Sequence, residues 1–395
     1  MKIIQISVEG LPLFKDKLKL DFFARQRVSE NDTATLFSVT PNLYLNCVNA
    51  FVGINASGKT SVLKTIIFAL NLLQHKPINH IETRSVLGDS SNIVFKLIFS
   101  SSAGEICQLK TYIDSEKDNI GSTVYKITAE TLCIKKISRS ASKKFLLDFS
   151  NVETVVDRAK IGGMQDFLPD DVSIIIAYNK VNKDFLDVTE MLFLTDTNFI
   201  PFSQLQIPAE VVEFLDPSID SILVFGDTLE NAKFHIKFKN KKEIIVENQT
   251  ELNYYLSSGT IKGITVFIAI VFVLARGGYL VVDEIENHFN KEIVSTIIRF
   301  FMDSKINPNG AVLIYSTHYP ELLDEHNRND SIYITRNIDT ISVENLSESL
   351  KRNDIKKSDA FQSGFLEGTA PAYNSYIRLK NYIKGFIGTQ NAKSV

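Results

Sequence analysis

A chain of 395 residues can bury a full hydrophobic core, and its length alone suggests two or three domains or one large domain with an insertion. Hydrophobic residues at 44% and charged residues at 23% are ordinary for a folded soluble protein, and a net charge of −3 argues against a uniformly basic nucleic-acid coat while leaving room for a local basic groove. Three scattered cysteines (Cys47, Cys107, Cys133) are too few for a disulfide framework or a zinc site, and a reduced, cytoplasmic setting fits best.

The opening stretch MKIIQISVEGLPLF reads as strand plus turn, with Glu9 interrupting any signal-peptide core. Ile3, Ile6 and Val8, then Leu18, Leu20 and Phe22, predict paired strands. Residues 46–53 (NCVNAFVG) form a short apolar run ending at a glycine, as a buried strand does. Beyond Thr60 the period changes: Val62, Leu63, Ile66, Ile67, Leu70 and Leu73 recur at helical spacing. A strand therefore feeds a loop that opens a helix. Residues 93–99 and 107–113 flank SSSAG, a hairpin signal, and 122–137 continues the alternation. Residues 151–220 are less regular, with a helical stretch at 209–215, and read as a mixed or helical insertion or lid. Strand patterns return at 221–225, 234–238 and 243–246, and a helix–strand–helix–strand succession from 260 to 334 predicts a parallel α/β core. Residues 264–275 (ITVFIAIVFVLA) are the one run apolar enough to raise a membrane question; twelve residues are too short to span, so a buried core helix and no membrane segment are expected.

Four motifs carry chemistry. GINASGKT, residues 53–60, satisfies G-x-x-x-x-G-K-[ST] in full. Its glycines let the backbone wrap a triphosphate with N–H groups pointing inward, and the following helix aims its positive end at the anion. Gly53, Asn55, Ala56, Ser57, Gly58, Lys59, Thr60 and Ser61 are the candidate ATP-binding residues. Lys59 would reach the β- and γ-phosphates, and Thr60 would offer its hydroxyl to Mg2+. YLVVDE, residues 279–284, delivers Asp283 at a strand's C-terminal end, where ligands of parallel sheets collect. Asp283 would hold the Mg2+ shell and Glu284 would orient or deprotonate the attacking water. AVLIYSTH, residues 311–318, ends in His318, which could contact the γ-phosphate. LSSGT, residues 256–260, places Ser257, Ser258 and Gly259 before an apolar helix, a potential anion site. Taken singly, the last three have plain alternatives: two solvated acids, a structural histidine and an ordinary helix cap.

In this order the four motifs resemble the ATP-binding-cassette type of ATPase, and most closely its soluble SMC-like and OLD-like branch, including AAA-family ATPases of bacterial phage-defence and abortive-infection operons. DEIENHFN (283–290), STHYPELL (316–323), KRND (351–354) and GTAP (368–371) are similar to that branch. The resemblance covers roughly 1–75 and 250–375. It implies an α/β fold, a P-loop NTPase of ABC-ATPase type with an N-terminal strand-rich subdomain and a mixed or helical insertion. The expected segments are 1–80 (core with phosphate loop), 81–150 (strand-rich), 151–220 (insertion), 221–345 (signature, Walker B and histidine loop) and 346–395 (tail). It also implies a head-to-tail homodimer in which Lys59, Asp283, Glu284 and His318 of one subunit face Ser257, Ser258 and Gly259 of the other across ATP. LSSGT departs from the usual Leu-Ser-Gly-Gly-Gln. The usual glutamine loop has no clear place, Gln108 being a weak candidate.

The expected role is a cytoplasmic ATPase switch, sensing a phage component or nucleic acid and controlling a separate effector protein. Basic residues at Lys135, Lys136, Arg139, Lys143 and Lys144, at Lys237, Lys239, Lys241 and Lys242, and at Lys351, Arg352, Lys356 and Lys357 could touch a nucleic-acid backbone, although in a slightly acidic chain solvated faces are the better explanation of each run. A transporter's nucleotide-binding subunit and an OLD-like ATPase acting directly on DNA are the alternatives. Asp324, Glu325, Asp330 and Asp339 follow His318, but no apolar strands deliver them as the paired carboxylates of a two-metal nuclease.

Overall fold

The computed structural model describes residues 1–15, 17–138, 140–160, 168–192, 200, 207–226, 231–287, 289–363 and 373–393. Arg139, His288 and residues 368–371 lie outside these, as do parts of the 151–220 and 346–395 segments.

Two six-stranded sheets sandwich the helix Lys59–Leu73. The first is antiparallel: β1 (Lys2–Glu9), β2 (Leu18–Asp21), β6 (Ile93–Ser100), β7 (Glu105–Lys117), β8 (Thr123–Lys136) and β9 (Thr154–Asp157), in the order β2-β1-β6-β7-β8-β9. Ile3 and Ile6 lie an odd number of residues apart yet share one core. A bulge between Ile3 and Gln5 resets the alternation and permits it. The second sheet holds β5 (Val48–Val52), β10 (Val188–Met191), β14 (Tyr279–Val282), β15 (Val312–Thr317), β16 (Ile332–Asn337) and β17 (Ile341–Asn345), in the order β10-β14-β15-β5-β16-β17. All its neighbours are parallel except β16 and β17.

The parallel strands are apolar on both faces because both are covered. Tyr279 and Val281 face the helix Lys59–Leu73 and the antiparallel sheet; Leu280 and Val282 face the helices Ser258–Arg276 and Lys291–Met302. A hairpin of β3 (Leu36–Thr40) and β4 (Leu43–Asn46) covers part of the outer face of the antiparallel sheet, with Leu43 and Leu45 packing beside Ile98 and Ile106.

Among the described residues of 151–220, β9 extends the antiparallel sheet and β10 forms the edge of the parallel one. Both are four-residue strands, too short for an alternation to declare itself. The strand patterns of 221–246 do not join the α/β core. They form a third, antiparallel sheet of β11 (Ile219–Phe225), β12 (Lys233–Phe238) and β13 (Ile244–Val246), with its own core around Phe234 and Ile236.

The apolar helix is a core helix, as expected, but it is longer than its apolar run of residues 264–275. It runs for 19 residues, because Ser257 caps its start and left-handed Gly277 its end. By length and composition it could cross a membrane. Its inward residues, among them Ile261, Ile264, Ile270 and Val273, are fully packed, while Val271 is exposed. That one-sided burial is the mark of a helix covering a sheet.

One buried group makes stability depend on pH. His326 takes its place between the Tyr315 hydroxyl at Nε2 and the Ser331 hydroxyl at Nδ1, both 2.8 Å away. Burial, with Lys357 adding to it, pushes its pKa down to about 3. Below the ordinary value of about 6.5 the unfolded chain binds a proton that the folded chain refuses. Stability is therefore expected to fall as pH drops from about 6.5 towards 3, by up to about 1.4 kcal/mol per unit. Urea midpoints measured across that window check this: His326→Gln should lose that share of the slope.

Candidate functional site

β14, β15 and β5 are adjacent and parallel, with Val282 opposite Tyr315 and Thr317 opposite Val52. Their C-terminal ends thus deliver three segments to one edge: Asp283 and Glu284, His318, and the 53–60 loop.

The loop is held by close approach to β16. A Cβ on Gly53 would lie 2.4 Å from Ser57 Oγ and 2.5 Å from the Thr335 carbonyl, so no larger residue fits. Ser57 Oγ and Thr335 Oγ1 are 2.8 Å apart, and Asn337 Nδ2 donates to the Ala56 carbonyl at 3.0 Å. Ala56 (φ 61°) and Gly58 (φ 97°) both take left-handed backbone, and Gly58 caps the helix that begins at Lys59. This is the geometry of an anion cradle: a tight turn leading into the positive end of a 15-residue helix.

Lys59 sits at the centre. Its amine donates to the carbonyls of Gly53 (3.0 Å) and Ile54 (3.2 Å) and approaches His318 Nδ1 at 3.2 Å. On the opposite side of the ring, His318 Nε2 lies 3.2 Å from Glu284 Oε1. An ammonium can only donate and a carboxylate only accept. The contacts are both satisfied by a neutral imidazole with its proton on Nε2. Burial lowers the Lys59 pKa, against the pull of Asp283, Glu284 and Glu286. The Glu284 carboxyl is lowered, first by the Asn287 amide (2.8 Å to Oε2) and then by His318.

Asp283 is fixed from two sides: Thr60 Oγ1 donates to Oδ2 at 2.6 Å and the Ser316 hydroxyl donates to Oδ1. The Ser316 hydroxyl also accepts the Glu284 N–H at 2.7 Å. Glu284 holds φ at 48°, a backbone conformation costly for a residue with a side chain. Such strain persists only where the surroundings impose it, and here the Ser316, Asn287 and His318 contacts do so.

A cavity of about 400 Å³ is lined by residues 55–61, Glu284 and His318 together with Leu13, Asn337 and Ile341; Asp283 is not among the lining residues and reaches the site through Thr60. Lys59, Thr60, Asp283, Glu284 and His318 therefore come together. Ser257, Ser258 and Gly259 do not line this cavity. Ser257 accepts the Thr260 N–H at 3.0 Å as a helix cap, and its surface is exposed. Gln108 lies within β7, 8% exposed, and is also not among the lining residues. Asp324 accepts from residues 357 and 358, Glu325 pairs with Arg299, and Asp330 is buried against Arg328. Each of these three acids serves a local contact, and among the described residues no group of three or more His, Cys, Asp or Glu is placed to hold a metal.

Sequence reasoning missed Glu286, whose Oε1 accepts the His318 N–H at 2.6 Å and so fixes the backbone behind the imidazole. It missed Ser316 as the link between Asp283 and Glu284 as well. The alternation Asp283, Glu284, Glu286 was visible, but only the turn after β14 brings Glu286 back onto β15. A divalent ion is compatible with the donors present. The Thr60 hydroxyl and Asp283 carboxylate are hard oxygen ligands, and Mg2+ typically takes one or two such groups and completes its shell with water and phosphate.

Residues 48–324 match a family model described as "AAA domain, putative AbiEii toxin, Type IV TA system". The matched span is well over half of the chain and contains the loop, Asp283, Glu284 and His318. No curated protein matches the chain.

Proposed function

The chain belongs to this AAA-domain family, and from that premise we propose that it binds ATP with Mg2+ and hydrolyses it in a site completed by a second copy. The observation that supports this most is the unbroken line Glu284–His318–Lys59, in which the group suited to activate water touches the group that touches the phosphate-binding lysine.

In this reading Lys59 exchanges its carbonyl partners for β- and γ-phosphate oxygens, which offer it full negative charge. Thr60 and Asp283 would hold Mg2+, which when bound offsets phosphate charge. Glu284, kept ionised at neutral pH by Asn287 and His318, positions the attacking water. His318 donates from Nε2 to Glu284 and accepts at Nδ1 from Lys59, so a shift of the lysine towards phosphate is felt at the base. Ser257, exposed at the start of the helix Ser258–Arg276, and the half-buried Ser258 and Gly259 after it are what a partner copy would meet in this reading.

The ATP-bound pair and the separated copies are then the two states of a switch. We assign its output to a separately encoded effector protein in defence against phage, a role with which the family's toxin–antitoxin description agrees. Phosphate release by the purified chain is expected to require Mg2+ and to rise, per chain, with protein concentration. No turnover at any concentration would overturn hydrolysis. Turnover independent of concentration would overturn the shared site alone.

A further inference from the structure

The basic runs visible in the sequence are largely occupied in the fold. Lys135 donates to the Phe145 carbonyl and rests over the Phe145 and Phe149 rings; Lys143 donates to the carbonyls of Ala24 and Arg25. Lys237 pairs with Asp220, Lys239 with Glu213, Arg352 with Asp354 and Lys356 with Asp359.

A different set of lysines is assembled by strand register. Lys19 on β2 lies opposite Ser7 on β1, Ser7 opposite Lys96 on β6, and Lys96 opposite Lys110 on β7. They form one row across four neighbouring strands. Lys17, next to the row, pairs with Glu9 at 2.9 Å. Among the described residues no carboxylate lies within ion-pair distance of Lys19, Lys96 or Lys110. Lys110 instead holds its amine 4.8 Å from the centre of the Tyr112 ring. Ser7, between Lys19 and Lys96, is only 2% exposed. The farther part of this sheet face, at Ile98 and Ile106, is covered by the β3–β4 hairpin, whereas Lys19 is exposed and Lys96 and Lys110 are half-buried.

Like charges placed directly opposite one another weaken a sheet. Burial lowers the Lys96 pKa, and Lys17, Lys110 and Lys19 lower it further, while Asp148 opposes them. In a chain of net charge −3 this concentration of positive charge is offset only in part, by Glu9, whose carboxyl Lys17 and then Lys110 and Lys96 hold low, and by Asp148. Its chemistry is that of a polyanion site. Three strand spacings of about 4.8 Å make a row about 14 Å long, over which one strand of a duplex presents about four phosphates. Tyr112, on the same face, supplies a ring of the kind that bases stack on.

We propose that the open face of the antiparallel sheet, through Lys19, Lys96 and Lys110 with Tyr112 beside them, binds the phosphodiester backbone of a nucleic acid without reading its sequence. This site stands independently of the ATPase reading, since none of its residues lines the nucleotide cavity.

The full chain, titrated into fluorescein-labelled 20-nucleotide DNA as single strand and as duplex, is expected to raise the anisotropy of at least one of them equally for unrelated sequences. The preferred form identifies the source of the backbone. For duplex, the logarithm of affinity should fall with the logarithm of salt with a slope of about −3. Lys96→Glu puts a carboxylate opposite Lys110. It should weaken binding about tenfold or more and flatten the salt slope, while raising the melting temperature by converting a repulsive cross-strand pair into an attractive one. A purely structural lysine would not move affinity and stability in opposite directions. Lys96→Gln/Lys110→Gln, which introduces no new charge, should weaken binding with ATP binding retained as a fold control. Absence of binding to either DNA, binding by both variants at wild-type strength, or binding to phosphatidylserine vesicles in place of DNA would overturn the proposal.

Discussion

Lys59→Ala is expected to cut ATP turnover by at least about 100-fold, the loss typical when one preorganised charge is taken from a transition state, and to weaken ATP binding with it. Lys59 is 5% exposed at the start of its helix, and alanine is the best helix former, so the helix itself should persist. On the proposed reading, what goes is the charge that would meet the phosphates, together with the donor that fills His318 Nδ1. The imidazole then loses one of its two anchors and the Glu284–His318 contact loosens. Binding of a fluorescent ATP analogue, phosphate release and a melting curve together separate this from misfolding. Unchanged hydrolysis by a folded variant would sink the site assignment.

Glu284→Gln is expected to behave in the opposite way on binding. With Glu284 as the proposed general base, its loss would cost about 10²- to 10⁴-fold in rate, while Lys59 and the loop would still be in place to hold phosphate. ATP should stay bound and the two-copy state should accumulate. The substitution is not electrostatically silent. Both Glu284 oxygens accept, one from Asn287 and one from His318, whereas glutamine offers one acceptor and one donor. It can keep both partners only if the Asn287 amide turns over to offer its carbonyl, so some rearrangement around His318 accompanies the loss of charge. Light scattering during size exclusion, with and without ATP and Mg2+, reads the result. The same mass under both conditions would count against the shared site, even with turnover abolished.

The parts of the fold and site that could be read from the sequence share a physical property: their determinants are contiguous. The phosphate loop is a run of eight residues whose glycines answer to local sterics. Asp283, Glu284 and His318 end apolar strands whose composition announces burial on both faces. The α/β class and its parallel core follow from that, though not the order of the strands. What was illegible depends on register between distant segments. Thr335, Asn337 and Ile341 brace the loop from almost 300 residues away. β10 is too short to signal its place in the sheet, and residues 221–246 look like core strands until their partners are known. The lysine row is the clearest case. Lys19 ends the charged stretch KDKLK (15–19) and Lys96 and Lys110 stand apart from any such run, and only the pairing of β2, β1, β6 and β7 aligns the three.

The left-handed backbone at Glu284 (φ 48°) sets two kinds of selection against each other. Glycine would occupy this position without steric cost, and asparagine at less cost than glutamate. A screen that rewards heat resistance alone would therefore drift away from glutamate here, and its most durable clones would be its least active. Any effort to harden this protein for laboratory use has to hold position 284 fixed and look for its gains elsewhere.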